Sequence, residues 1–306
     1  YSSLLPCCWP MLIIAFEDYR NFFKIRDRLI SAEGALVGMF LLAIIIMVIS
    51  QTIALLFDII IPFYGIGTIL SSLTYILLTF LVVRWTITHV FKETLSSYRM
   101  TKPVFHPIYL ILGIALPCVI YAIYFIFIPG DFKVHHFNSI SKTIHDLSYI
   151  IFMQAAAGAI VEEMVCRGLL MGYIEKKTNI RIAIIVTSLF FGVIHLLNGA
   201  LNVTSFFLLL VSGTLVGMMF GIATYRFNTI WASITLHFFW NVFQVVYITT
   251  KETDYNVFQY VLRFKNMVLT GGQFGFETSI VSIIGYIIVI IILLMCRSPY
   301  KERIQK

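Results

Sequence analysis

Long apolar runs broken by short polar stretches recur along the whole chain. A membrane-spanning helix needs ~20 mostly apolar residues at 1.5 Å per residue. Eight stretches approach or exceed that length: residues 34–57, 59–83, 104–128, 147–174, 182–197, 203–225, 229–250 and 278–296. The fifth is short. Pro62, Pro103, Pro129 and Pro299 fall at or near run ends, where proline is tolerated. Pro117 lies inside the third run and predicts a kink there. The connection 251–277 is aromatic-rich and is expected to hold an interfacial helix near 257–268. The stretch 17–33 is charged and amphipathic and reads as a surface helix.

Composition agrees with this pattern. Of 306 residues, 59% are hydrophobic and 12% charged, about half the charge of soluble domains. The expectation is an all-α polytopic membrane protein, with about eight transmembrane helices around a central cavity. It divides into an amphipathic cytoplasmic segment (1–33), one transmembrane domain (34–296) with a catalytic core near 147–250, and a basic tail (297–306). Basic residues set orientation, because cytoplasmic loops carry the excess of Lys and Arg. With the N-terminus inside, 16 of the 22 fall on the inner side and 5 on the outer, while Arg167 lies within a span. Both termini are therefore expected to be cytoplasmic. The basic residues form no aromatic-interleaved patch, so nucleic-acid binding is a poor reading. Cys7, Cys8, Cys118, Cys166 and Cys296 form no paired framework and no CxxC.

Three polar clusters fall inside apolar runs: Glu162-Glu163 with Arg167, Phe191 with His195, and His237 with Asn241. A charge at the centre of a spanning helix costs at least ~2.5–3.5 kcal/mol on insertion scales. Such residues mark function more often than chance. From run ends, Glu162 and His195 each lie ~20 Å from the inner side and His237 ~12 Å. One shared site within a ~30 Å core follows. Glu163 and Arg167 are i, i+4 and read as an ion pair, since an unpaired buried charge is costly. Glu162 points ~100° away and has no local counter-charge. A desolvated carboxylate is the better base. His237 and Asn241 share a face and offer an imidazole and an amide to a developing oxyanion. The residues together describe amide hydrolysis: Glu162 takes a proton from water, His195 positions that water or shuttles the proton, and His237 with Asn241 holds the carbonyl oxygen.

The run EEMVCRG (Glu162–Gly168), FGVIH (Phe191–His195) and HFFWN (His237–Asn241) match EExxxR, FxxxH and HxxxN in order. In successive membrane helices this resembles the CPBP family of CAAX proteases and bacteriocin-processing or self-immunity proteins, also called Abi. Cys166 stands where many members have an aromatic residue, and Gly158 lies where proline is frequent. The resemblance covers about 155–243. It implies an eight-helix intramembrane endopeptidase, with Glu162 and His195 activating water and His237 and Asn241 forming the oxyanion site. A bacterial member in the cytoplasmic membrane is expected, acting on a hydrophobic or lipidated peptide amid membrane lipid.

Other readings compete. Each polar side chain can be interhelical glue, and Phe191 reads as a packing residue. The histidines outside the motifs suit headgroups or water, and Cys166 reads as an ordinary buried thiol. Gly213, Gly217 and Gly221 form a small-residue stripe suited to close helix packing. No cofactor is expected, although Glu162, Glu163, His195 and His237 supply donors that zinc accepts. At the level of function, the rivals are a non-catalytic scaffold or bacteriocin-immunity protein and a proton-coupled transporter. The lack of inverted repeats weakens the last.

Overall fold

The computed structural model describes residues 32–61, 63, 65–196 and 202–296. The expected surface helix, Cys7, Cys8 and the basic tail therefore lie outside the described residues, apart from the end of the 17–33 segment at the start of the first helix. The chain divides into two compact units after Ile45. The described part of the first is the leading half of helix α1 (Ala32–Ile60), with Val37, Leu41 and Ile45 exposed as a lipid-facing side chain would be. The second unit, from Ile46 onward, carries the candidate site.

After α1 come α2 (Ile66–Trp85, continued by one wide turn to Val90), α3 (Pro107–Phe127) and the long helix α4 (Ile140–Lys177). Then follow α5 (Ile180–His195), α6 (Val203–Phe227), α7 (Ile230–Val242) and α8 (Ile280–Met295). Five helices, α1 to α4 and α6, are long and apolar enough to cross a membrane, and α5 and α8 are shorter apolar helices. The chain is an integral membrane protein with an all-α membrane domain. Capping residues set the starts. Side-chain oxygens of Ser139, Asn179, Asn202, Thr229 and Ser279 accept from backbone N–H groups of α4 to α8, satisfying donors that the helix itself leaves orphaned. His106 caps α3 ahead of Pro107. His145 Nε2 reaches Asp58 at 3.0 Å. Two histidines expected to face headgroups or water thus have protein partners.

Three expectations need correction. The second run begins its helix at Ile66, not at residue 59. Gly65 turns there at φ +76°, where a Cβ would meet Ser148 Oγ at 2.3 Å. The seventh helix stops at Val242, and Val246–Thr249 becomes strand β2. The segment expected as an interfacial helix instead contains strand β3 (Phe258–Leu262), followed by an irregular stretch and a single helical turn from Met267. The strand's β-branched and aromatic residues pair with β1 (Gly130–Val134), antiparallel, and with β2, parallel, in the order β1-β3-β2. Aromatic and β-branched side chains suit such a pleated, half-buried surface. Helix α3 runs through Pro117 without interruption.

The glycine stripe does what its spacing suggests. A Cβ at Gly213 would lie 2.8 Å from Gly192 Cα, and one at Gly217 would lie 2.9 Å from Ser188 Cα. Helices α5 and α6 approach backbone to backbone only because no Cβ intervenes. This contact sets the depth of His195 against α6. The turn from α6 to α7 is only Asn228, at φ +54°, and Thr229. It folds α7 back along α6 and brings His237 onto Phe220.

Candidate active site

Helix α4 carries the first motif and is not uniformly wound. Tyr149–Gly158 and Met164–Leu170 are wide i→i+5 turns on either side of Ala159–Glu163. Such bulges occur often at functional sites, because they re-aim side chains and free carbonyls. The carbonyl of Gln154 is used this way: Asn241 Nδ2 donates to it at 3.1 Å. That bond uses one of two amide hydrogens and leaves the other.

Glu163 and Arg167 are both fully buried, and Arg167 Nη1 lies 3.3 Å from Glu163 Oε1. The contact is ionic without a well-aligned hydrogen bond. Arg167 is also held by its other faces. Its Nη2 donates to the Gly217 carbonyl at 3.1 Å, and its guanidinium lies 4.5 Å from the Phe191 ring centroid and 5.3 Å from that of Phe220. Phe191 therefore packs against the cation, and its own ring sits 4.6 Å from His195. Desolvated cation–aromatic contacts of this kind are worth ~2 kcal/mol.

Glu163 does more than pair with Arg167. Its Oε1 also accepts from His237 Nδ1 at 3.1 Å. One buried carboxylate thus joins the EExxxR motif to HxxxN. Phe220 stacks on the His237 ring at 4.7 Å, so carboxylate and ring together fix the imidazole and leave Nε2 as its free nitrogen. His195 is oriented in the same manner. Its Nδ1 lies 2.7 Å from the Phe191 carbonyl. A carbonyl only accepts, so Nδ1 carries the proton, and Nε2 is the free lone pair when the ring is neutral.

His195, His237 and Asn241 line one cavity of about 80 Å³, enough for only a few waters. Phe191, Phe274 and Glu277 share its wall. Glu162 is part-buried and is not among the lining residues. It interacts electrostatically with Tyr75 of α2 and with Glu277. Its Oε2 is buried with no hydrogen-bond partner among the described residues. Cys166 is buried among the helices and does not line the cavity. Among the described residues, no three His, Cys, Asp or Glu side chains form a metal-holding group.

Residues 145–243 match the family model described as Rce1-like, type II CAAX prenyl endopeptidase. That match supports the resemblance to the CPBP family over this segment. The matched segment holds all three motifs and runs from α4 through α7. No curated protein and no solved structure matches the chain.

Sequence reasoning did not find Glu277, Phe274 or Phe220. Phe220 looked like one more aromatic in an apolar run. Glu277 sits at the edge of the eighth run, after an irregular connection, and no spacing ties it to the motifs. Its proximity to an apolar run was the one available sign.

Proposed function

We propose that this protein is an intramembrane endopeptidase of the CAAX-protease type, hydrolysing a peptide bond in a hydrophobic or lipidated peptide. The observation that carries the reading is the shared cavity of His195, His237 and Asn241, with Glu163 fixing His237 from behind.

Glu162 is the general base. Its unpartnered oxygen accepts a proton from water as the water oxygen attacks the scissile carbonyl. His195, with Nδ1 committed to a carbonyl, uses Nε2 to hold that water or to relay the proton. The carbonyl oxygen gains charge at His237 and Asn241. For His237 Nε2 to donate there, the ring must carry a proton on each nitrogen, with Nδ1–H facing Glu163 Oε1. Asn241 gives its remaining amide hydrogen. Each such donor is typically worth 10²–10³ in rate. Arg167 offsets the buried charge of Glu163.

A second reading has one specific support. Metal-bound histidines usually donate their other ring N–H to a carboxylate or carbonyl, and His195 and His237 both do so. Zinc held by Nε2 atoms and a carboxylate would supply an activated water. A scaffold or immunity role uses the same cavity for binding alone.

The test uses liposome-reconstituted protein and paired quenched peptides, identical except for a lipidated cysteine. Cleavage of the lipidated member at least tenfold faster is the expected result. Equal cleavage of both would remove lipid recognition from the proposal, and cleavage of neither would favour the scaffold.

A further inference from the structure

The cavity has a carboxylate that the motifs do not supply. Glu277 lies beyond the family-matched segment, on the connection between β3 and α8. That connection is tightly built. Gly271, Gly272 and Gly275 take φ of +77°, +66° and +109°, conformations that favour glycine. Thr278 Oγ1 donates to the Gly271 carbonyl at 2.7 Å. Gln273 N donates to Ser205 Oγ at 3.0 Å, and its Oε1 accepts from Asn202 N at 2.7 Å. Tyr286 donates to the Glu277 carbonyl at 3.0 Å. The segment is thus bound to α6 and α8, and it presents Phe274 and Glu277 to the cavity.

The carboxylate itself is asymmetric. Trp240 Nε1 donates to its Oε1 at 3.1 Å, and the Gln244 amide donates to the same oxygen. Trp240 and Gln244 stand at i+3 and i+7 from His237, on the face that also carries Asn241. Oε1 is therefore occupied by α7 and the turn after it, which leaves Oε2 to carry a proton. Glu277 lines the same cavity as His237 and Asn241, the pair assigned to the carbonyl oxygen.

We infer that Glu277 is a further catalytic residue, the acid that protonates the leaving nitrogen as the scissile C–N bond breaks. The inference rests on the endopeptidase reading. Glu162 takes one proton from water, and the hydroxide oxygen bonds to the carbonyl carbon. The oxyanion then reforms C=O, the C–N electron pair leaves with nitrogen, and nitrogen takes the Oε2 proton of Glu277. The proton on Glu162 returns to Glu277 through His195, so one water is consumed and both carboxyls are restored. Burial pushes the Glu277 carboxyl up, and Glu162 adds to the rise, while His195, the Trp240 N–H and His237 oppose it. Tyr121, Tyr247 and Tyr286 are the other titratable groups interacting with it. A raised carboxyl is protonated below its shifted pKa and loses the donor as pH rises through it.

The test compares an amide substrate with a matched 4-nitrophenyl ester, whose leaving group needs no proton. Wild type, Glu277→Gln and Glu162→Gln are assayed in detergent. Glu277→Gln should lose amide kcat by ~10²-fold or more, lose ester kcat by far less, and lose the alkaline fall in its pH profile. Equal loss on both substrates, or no loss on either, overturns the inference. If Glu277→Gln does not fold, as judged by thermal unfolding, Glu277→Asp keeps the acid. It should then retain a clear ester-over-amide difference, and equal loss on both again overturns the inference. Glu162→Gln should fail on both substrates. If it cleaves like wild type, the endopeptidase mechanism is at fault. No wild-type cleavage of either substrate removes the proposed function and the inference with it.

Discussion

Glu162→Gln is expected to lower kcat by ~10²–10⁴-fold while leaving the fold intact. The change keeps size and polarity, and it removes only the capacity to take a proton. Oε2 of Glu162 has no hydrogen-bond partner among the described residues, so no structural contact of that oxygen is lost. A structural carboxylate would give the opposite pattern, with a lower melting temperature and rate per folded molecule unchanged. Glu162→Asp should fall between, because the base survives but its reach shortens by one methylene. Rates at saturating lipidated peptide, normalised to folded protein, separate these cases.

Arg167→Met is expected to be the most destabilising single change, at ~3–5 kcal/mol, because it leaves a buried carboxylate without its counter-charge. Glu163 and Arg167 are both fully buried. Methionine keeps much of the volume but forfeits the contacts to the Gly217 carbonyl and to the Phe191 and Phe220 rings. Part of the loss is offset, since His237 Nδ1 can still donate to Glu163. Removing both charges behaves differently. An apolar pair is often neutral beside a buried ion pair, so Arg167→Met with Glu163→Leu should recover most of the melting temperature. Its cleavage should not recover, because His237 loses the carboxylate that orients it. Thermal unfolding and cleavage of the two variants test both halves. Recovery of both together would reduce Glu163 to a structural residue.

Much of the fold was legible because hydropathy carries it. Each apolar run holds a helix among the described residues, five of them long and apolar enough to cross a membrane, and capping residues mark where several of them start. The boundaries failed where apolar composition continues through a change of backbone. Residues 59–65 look like one run with α2, yet Gly65 turns there. Val246–Thr249 continues the apolar character of α7 but pairs with β3. Strand pairing depends on a partner more than a hundred residues away for β1, and local pattern does not report it.

The site was legible where spacing on one helix suffices, as for Glu163 with Arg167. It was not legible where contacts cross helices. The Glu163–His237 bond spans 74 residues. The Asn241 bond to Gln154 depends on a widened turn that the sequence does not announce. Glu277 reaches α7 from an irregular loop held by glycines at positive φ.

In the proposed mechanism a glutamate, without a bound metal, activates the water. The direct measurement is the wild-type cleavage rate of a lipidated peptide in liposomes after exhaustive chelation, followed by zinc addition. An unchanged rate at both stages is the expected result. Loss on chelation with recovery on zinc would contradict it and move the chemistry to a metal held by His195 and His237.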